Sequence, residues 1–559
     1  MNLRDRIVVT NLCDLTRVIL FALTLITAAT AGATDALTYP LIPLPSYSPR
    51  DGEMVYANPN SLSLNDIGGV SFMSVLSVGD FFIPRYGVFM ADGEGGFREV
   101  IRAGDAAPGV DGGSTFSYFQ FLTTQGRNRL AFVGHLKGAG VDSDNRTGIW
   151  SADESGVLRL LVRSGDPAPA IGADVHFGKI AVDSDYRTES DNPRFTFNAA
   201  GEAAFHVDLV GAGVDPNGRG LFVASEHGSR LVVRSGDAAP GIPNGKFTAF
   251  PFTAYELAAP ALNDYGQTAF LANLDGPTIY YGLSLWTKTA AGPLTLIAQV
   301  GEVAPGLGNG ETMIADLRSP RINNAGQVAF AGLLSGPSIN ATNDEVLWMG
   351  TPGNLVTIVR EGDVIPGSSG GAKFGSVFTA SILPEAVPII NGRGQSAFLS
   401  ALRGDEVTAE NDSALWLRNP ASGIELIARE GDPAPGGGAF GGFYGNSIHL
   451  NSFGQVAFGC FVRLPNSDDF ESRIYAQDRR GQMTLIARQT GSSDFAFLWG
   501  SSGNQDGWQS AFNDRGQIIF GDWRGNSSSI YISNAVAVPE PRTLISLVLA
   551  GCCILRVRK

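Results

Sequence analysis

One pattern, Asn-x-x-Gly-x-x-Ala-Phe, recurs along this chain of 559 residues and limits what it can fold into. Full copies occupy residues 198–205, 263–270, 323–330, 391–398 and 451–458. Looser copies begin at Asn65, Gln125 and Asn513, so that eight copies follow one another at spacings of 60 to 73 residues. Asn-x-x-Gly is the chemistry of a tight turn, because Asn hydrogen-bonds forward and Gly supplies a positive φ. In the second copy Asn128 stands where the others have Gly. Asn is the residue that best tolerates the left-handed region, so the exception supports the turn. The Ala-Phe that follows has strand character, a small and a large side chain pointing to opposite faces.

The rest of each repeat reads as strand as well. A second strand ends in an aromatic at Trp150, Phe222, Trp286, Trp348 and Trp416. A third, such as Leu-Thr-Leu-Ile-Ala at 294–298, runs into a loop of the form Arg-x-Gly-Asp-x-x-Pro-Gly. That loop occupies 102–109, 163–169, 234–241, 360–367 and 429–436, with a softened copy at 299–306. A fourth, Phe-containing segment leads back to the next Asn. Four short strands per repeat, with no helical period and no β-α alternation, predict an all-β fold, a β-propeller of four-stranded blades. Eight blades is the expected number and seven the alternative. Because the eighth repeat is incomplete, the N-terminal strands in 52–64 are expected to close the ring with it. An open β-solenoid is disfavoured by the repeat length.

The two ends differ from the body. Arg4, Arg6 and Arg17 precede an apolar run at 18–26, and Ala31-Gly32-Ala33 fits a cleavage site, so residues 1–33 read as a signal peptide. Residues 34–51 read as a linker and 52–534 as the repeat domain. At the other end Pro539-Glu540-Pro541 precedes an apolar run at 544–555 and the cations Arg556, Arg558 and Lys559. The prolines keep the segment before the run extended, and a basic end is retained on the cytoplasmic side of a membrane.

This tail, residues 535–559, resembles a PEP-CTERM sorting signal with a short transmembrane helix, and Arg542 departs from the small or hydroxyl residue usual after the motif. The resemblance implies export through the Sec translocon, recognition by an exosortase of a Gram-negative bacterium, and an inner-membrane-anchored precursor processed near Pro539, Glu540 and Pro541. The repeats resemble the NxxGxxAF tandem-repeat, choice-of-anchor proteins. That resemblance implies an exported cell-surface or matrix protein and brings no catalytic residues.

Composition narrows the partners. The net charge is −14, and the two ends are themselves basic, so the body is more acidic still. Such a chain repels nucleic acid. Of four cysteines only Cys460 lies in the body, so no disulfide framework holds the fold, and Cys460 reads as a buried small hydrophobe.

No catalytic, cofactor-binding or metal set is identified. The carboxylates Asp105, Asp166, Asp237, Glu302, Asp363 and Asp432 recur in every Gly-Asp loop, and their repetition reads as architecture, each pairing with the Arg three residues before it or with a neighbouring blade. Oxygen-rich turns at Asp142, Asp144 and Asn145, at Asp215 and Asn217, at Asn343 and Asp344, and at Asn411 and Asp412 have donors suited to Ca²⁺ but no EF-hand spacing. The five histidines, His135, His176, His206, His227 and His449, lack metal-site spacing. The blade Trp residues read as core between blades rather than as sugar platforms. The expectation is a non-enzymatic exported envelope or extracellular-matrix protein whose propeller surface binds exopolysaccharide or protein. The alternatives are a glycan-acting propeller enzyme and a Ca²⁺-dependent lectin. The long repeat around 183–192 is where an asymmetric site is sought.

Overall fold

The computed structural model describes residues 54–533 apart from short stretches, the longest being 181–194, 251–258, 379–387 and 497–509. The cleavage region at Ala31 and Ala33, the sorting motif at Pro539, Glu540 and Pro541, and the 183–192 segment lie outside the described residues. Among the described residues no helix is long and apolar enough to cross a membrane.

Every described element is a strand, and each sheet is an antiparallel meander built from consecutive strands. Seven sheets carry four strand positions each, at 54–102, 115–163, 175–234, 246–299, 313–360, 373–429 and 439–488. These are the blades of a β-propeller, in the smaller of the two numbers expected. An eighth sheet at 494–532 has three strands among the described residues. In three blades the inner position is split in two, as at Lys373–Phe374 and Ile389–Ile390, both of which pair with Ser396–Arg403.

The Ala-Phe alternation explains how the blades stack. In the fifth blade Phe330 packs toward the fourth with Trp348, while Ala329 packs toward the sixth. Phe398 and Ala397 do the same one blade later, as do Phe458 and Ala457 after them. Each blade therefore offers a large face backward and a small face forward, and the core lies between blades rather than within one. Trp150, Trp286, Trp348 and Trp416 are buried there as expected. The Trp348 Nε1–H donates to the carbonyl of Pro305 at 3.1 Å, and that of Trp150 to Pro108 at 3.0 Å. In these two blades the aromatic thus clamps the Pro-Gly loop arriving from the preceding blade, as Tyr475 does through Pro435, whereas Trp286 and Trp416 donate to Ser284 and Ser400. Cys460 is buried in the same kind of layer, where burial pushes its thiol up.

The Asn turns adopt the expected geometry. Gly201, Gly266, Gly326 and their counterparts have positive φ, and Asn128 replaces them at φ 58. Seven of the eight turns also reach the next blade, which the turn reading did not contain. Asn263 Oδ1 accepts the N–H groups of Tyr265 and Gln267, while its Nδ2 donates to the carbonyl of Asn323 in the next blade at 2.9 Å. The same bond runs from Asn198 to Asn263, Asn323 to Asn391, Asn391 to Asn451 and Asn451 to Asn513. It then runs from Asn513 to the carbonyl of Asn65 at 3.1 Å, and Asn65 reaches Asn128. This belt of amides runs from the Asn198 turn round to Asn128 and joins the last repeat to the first; between the second and third turns Arg129, donating to the carbonyl of Ala200, takes its place.

Closure differs in one respect from the expectation. Met54–Leu64 does not complete the eighth sheet; it is the inner strand of the first blade, paired with Val70–Val78. The tight Asn65 turn makes those two strands a hairpin, so the ladder of the N-terminal strand is already used. The N- and C-terminal strands meet instead through one bridge, Leu64 to Ser510, through Arg515 donating to the carbonyl of Ile67, and through a shared core layer.

Candidate functional site: the groove between the fifth and sixth blades

An up-and-down blade sends its first and third connections to one end and its second connection, with the link to the next blade, to the other. The Asn belt therefore lies at one end. The Gly-Asp loops and the oxygen-rich loops share the opposite end, the loop face.

The Gly-Asp loops are structural, but not by the expected pairing. Asp166 Oδ2 and Asp237 Oδ2 each accept the backbone N–H of the Arg three residues earlier, at 3.0 Å. In the third blade the Arg side chain also reaches its Asp, Arg234 Nε to Asp237 Oδ1 at 3.3 Å. The guanidinium groups of Arg163, Arg360 and Arg429 instead donate to the carbonyls of Asn145, Asn343 and Asn411 in the oxygen-rich loops. The loops are thus tied to each other. A carboxylate directly after a left-handed Gly is turned back toward the main-chain N–H three residues earlier, away from a side chain that lies along the strand.

The oxygen-rich loops hold themselves. Asn343 Oδ1 accepts from the N–H of Asn340 at 2.8 Å and its Nδ2 donates to Ser338, with Asn145 and Asn411 in the same arrangement. Among the described residues no group of three or more His, Cys, Asp or Glu side chains is placed to hold a metal ion. The histidines stand apart as well. His206 and His449 are buried, which lowers each to about 3 and keeps them neutral. His135 bonds Gln120 and Thr147, while His176 and His227 are exposed.

Where adjacent blades diverge at the loop face, grooves open. One of about 550 Å³ lies between the second and third blades, lined by Asp144, His176, Lys179, Asp208 and Arg219 among others; there Arg219 is paired with Asp208 at 2.9 Å. The quasi-equivalent groove between the fifth and sixth blades measures about 400 Å³ and is lined by Thr342, Asn343, Arg360, Glu361, Asp363, Lys373, Phe374 and Arg403.

Glu361 sets this groove apart. It fills the x slot of Arg-x-Gly-Asp, which holds Ala103, Ser164, Ser235 and Val300 in the first four blades. Ser164 and Ser235 bond the carbonyls of Thr147 and Arg219. Glu361 is 2% exposed; its Oε1 pairs with Arg403 at 2.8 Å, and its Oε2 has no hydrogen-bond partner. Burial, with Glu345 and Asp344 nearby, raises it to about 7 against the opposing pull of Arg403. Glu345 is itself held by the hydroxyl of Ser376 and the N–H groups of Val377 and Phe378. In the sixth blade Glu430 fills the x slot, and burial raises it too, but Ser413 donates to its Oε2 at 3.1 Å. In the sequence the repeated Asp dominates the loop pattern and does not point to Glu361. The x slot, changing from small residues to Glu, was the available signal.

The molecule is thus a tandem-repeat β-propeller with one uniform end and one divergent end. A profile of DUF7453, a family of unknown function, matches residues 47–185, 179–422 and 385–545, and the chain belongs to that family. No curated protein matches it. Among solved structures, the polysaccharide lyase Uly1 is similar at 9% identity and a TM-score of 0.33, over 82% of this chain and 98% of the lyase. The Pyrococcus horikoshii acylaminoacyl peptidase shares 10% identity at a TM-score of 0.32 over 78% of this chain; the match spans 52%, about half, of the peptidase. The Pseudomonas aeruginosa periplasmic gluconolactonase PpgL shares 16% identity at a TM-score of 0.27, over 72% and 91% of the two chains. Likenesses this distant say nothing about the chemistry of the groove.

Proposed function

We propose that this is a non-enzymatic protein of the bacterial envelope or extracellular matrix, exported by the Sec translocon, sorted by an exosortase, and binding exopolysaccharide through its loop face. The observation that carries the binding part is the contrast between ends. Six of the eight turns repeat one bonding scheme at the belt, whereas the loop face departs from symmetry in a polar groove with three cations at its wall. A concave site with a few convergent polar groups is where a ligand is sought first. The export part rests on the two ends of the sequence.

Binding is tested on a glycan array, with and without Ca²⁺, using the mature protein. Retention of acidic or neutral exopolysaccharide fragments supports the reading, a Ca²⁺ requirement turns it into the lectin alternative, and no retention rejects both. Sorting is tested by mass spectrometry of the exported protein, where a C-terminus still ending at Lys559 rejects exosortase processing. A glycan-cleaving enzyme is favoured by one observation, a buried carboxyl raised to about 7, the range suited to a general acid. Release of new reducing ends from the bound glycan identifies that case.

A further inference from the structure

We propose that the groove between the fifth and sixth blades binds a carboxylate-bearing sugar, with Arg403, Arg360 and Lys373 as its cationic wall and Glu361 as an internal competitor for Arg403. This deepens the exopolysaccharide reading and rests on it.

Three observations converge. The first is the unsatisfied Glu361 Oε2, shut away from water beside two other carboxyl groups. A buried carboxylate oxygen with no donor is costly, and two ionised carboxylates have no proton to share. Protonation relieves both costs, because the neutral acid has a donor to offer and no longer repels the carboxylates of Glu345 and Asp344. The second is the position of Arg403. Its side chain is 45% exposed at the groove wall, and Glu361 Oε1 is its ion-pair partner among the described residues. When Glu361 is neutral that pairing loses its charge, and the guanidinium is available for a two-point contact with an incoming carboxylate. The third is the polarity of the wall. Thr342, Asn343 and Lys373 are solvent-facing or partly so, while Phe374 is buried, which suits a hydroxylated ligand rather than an apolar peptide. A volume of about 400 Å³ is at the small end of ligand sites, enough for one or two sugar rings.

The charged neighbours of Glu361 are accounted for on each packed element. Glu345 and Asp344 lie at the start of the third strand of the fifth blade, Arg360 and Asp363 flank Glu361 itself, and Lys373 and Arg403 come from the sixth blade. The carboxylates favour the neutral acid and the cations oppose it. The net charge of −14 weighs against a dense polyanion, so the ligand is a sugar with sparse carboxylates. The sixth blade supplies the control. Glu430 has the Ser413 hydroxyl on its Oε2 and is not left short of a donor.

The test is calorimetric titration of the full chain with glucose oligomers carrying a single glucuronic acid and with neutral glucose oligomers between pH 6 and pH 8. Binding of the acidic oligomer is expected to weaken about tenfold over that range, following the neutral fraction of a group titrating near 7. Glu361→Gln is expected to bind with the tighter affinity at both ends of the range, and Arg403→Ala to lose the acidic oligomer. Thermal melting of each variant verifies that the propeller is intact. A flat pH dependence in the unmodified chain, or an unchanged one in Glu361→Gln, overturns the proposal. Equal binding of a polyglutamate peptide overturns the sugar assignment. Neutral oligomers bound regardless of Arg403 overturn this site but leave the exopolysaccharide reading standing, whereas no binding of either oligomer overturns both.

Discussion

The fifth blade carries an asparagine at each end, and the two do different work. Asn323, in the belt, is fully buried; its carbonyl oxygen takes two turn N–H groups while its amide spans to Gln327 and to the carbonyl of Asn391. Asn343, on the loop face, is partly exposed and closes only its own loop, through Asn340 and Ser338. The first is an inter-blade rivet reproduced almost without change around the ring. The second shapes a loop whose neighbours are free to vary, and there Glu361 and Arg403 appear. A ring of equivalent units has to preserve what joins them, and the surface that joins nothing is the one on which a site can be built.

That comparison breaks first at Asn323. Asn323→Ala removes four hydrogen bonds and leaves the carbonyl of Asn391 without its side-chain donor, at an expected cost of about 3 kcal/mol in urea unfolding. A loss below about 1 kcal/mol would show that the belt does not hold the ring. Next in size is Glu361→Gln. In the folded chain Glu361 holds its proton up to about 7, above the ordinary carboxylate range. Between those values the native state binds more protons than the unfolded chain, so its contribution to stability falls as pH rises and is flat above the window. Glu361→Gln is therefore expected to stabilise the protein at pH 8 by about 1 to 2 kcal/mol, after allowance for the open groove, and to have little effect at pH 4. Thermal melts at the two pH values check this, and equal effects at both would remove Glu361 from the account.

Asn343→Ala comes third, at about 1 kcal/mol or less in urea unfolding, because water replaces the bonds of an open loop. A cost matching that of Asn323→Ala would erase the distinction between the ends. The smallest effect concerns Cys460, buried in a blade layer with its thiol pushed up. Its native reaction with a thiol reagent is expected to be far slower than in denaturant, and fast native labelling would place it at a mobile seam.

Much of this was legible in the sequence because the signal was local. The turn, the left-handed Asn128, and the burial of the blade tryptophans and Cys460 each follow from a few adjacent residues. The belt was not legible, since Asn323 Nδ2 finds its partner 68 residues away and no local rule places it. A shorter separation, 17 residues, hid the destination of the Arg360 guanidinium, which bonds the carbonyl of Asn343. Closure was misassigned for a related reason. The pattern counts repeats from one Asn to the next, but the blades are cut one strand earlier, so the segment before Asn65 already belonged to the first blade. Glu361 was visible as an odd residue in a repeated slot, yet its shortage of donors depends on Glu345 and Asp344 arriving from another strand.

The division between the two ends is tested most directly by comparing Arg403→Ala/Lys373→Ala with Asn323→Ala, each measured for both melting temperature and retention on immobilised acidic exopolysaccharide. The account predicts that the groove variant melts with the unmodified protein and loses retention, while the belt variant melts earlier and, below its melting point, still binds. Full retention by the groove variant, or loss of binding by a folded belt variant, would contradict it.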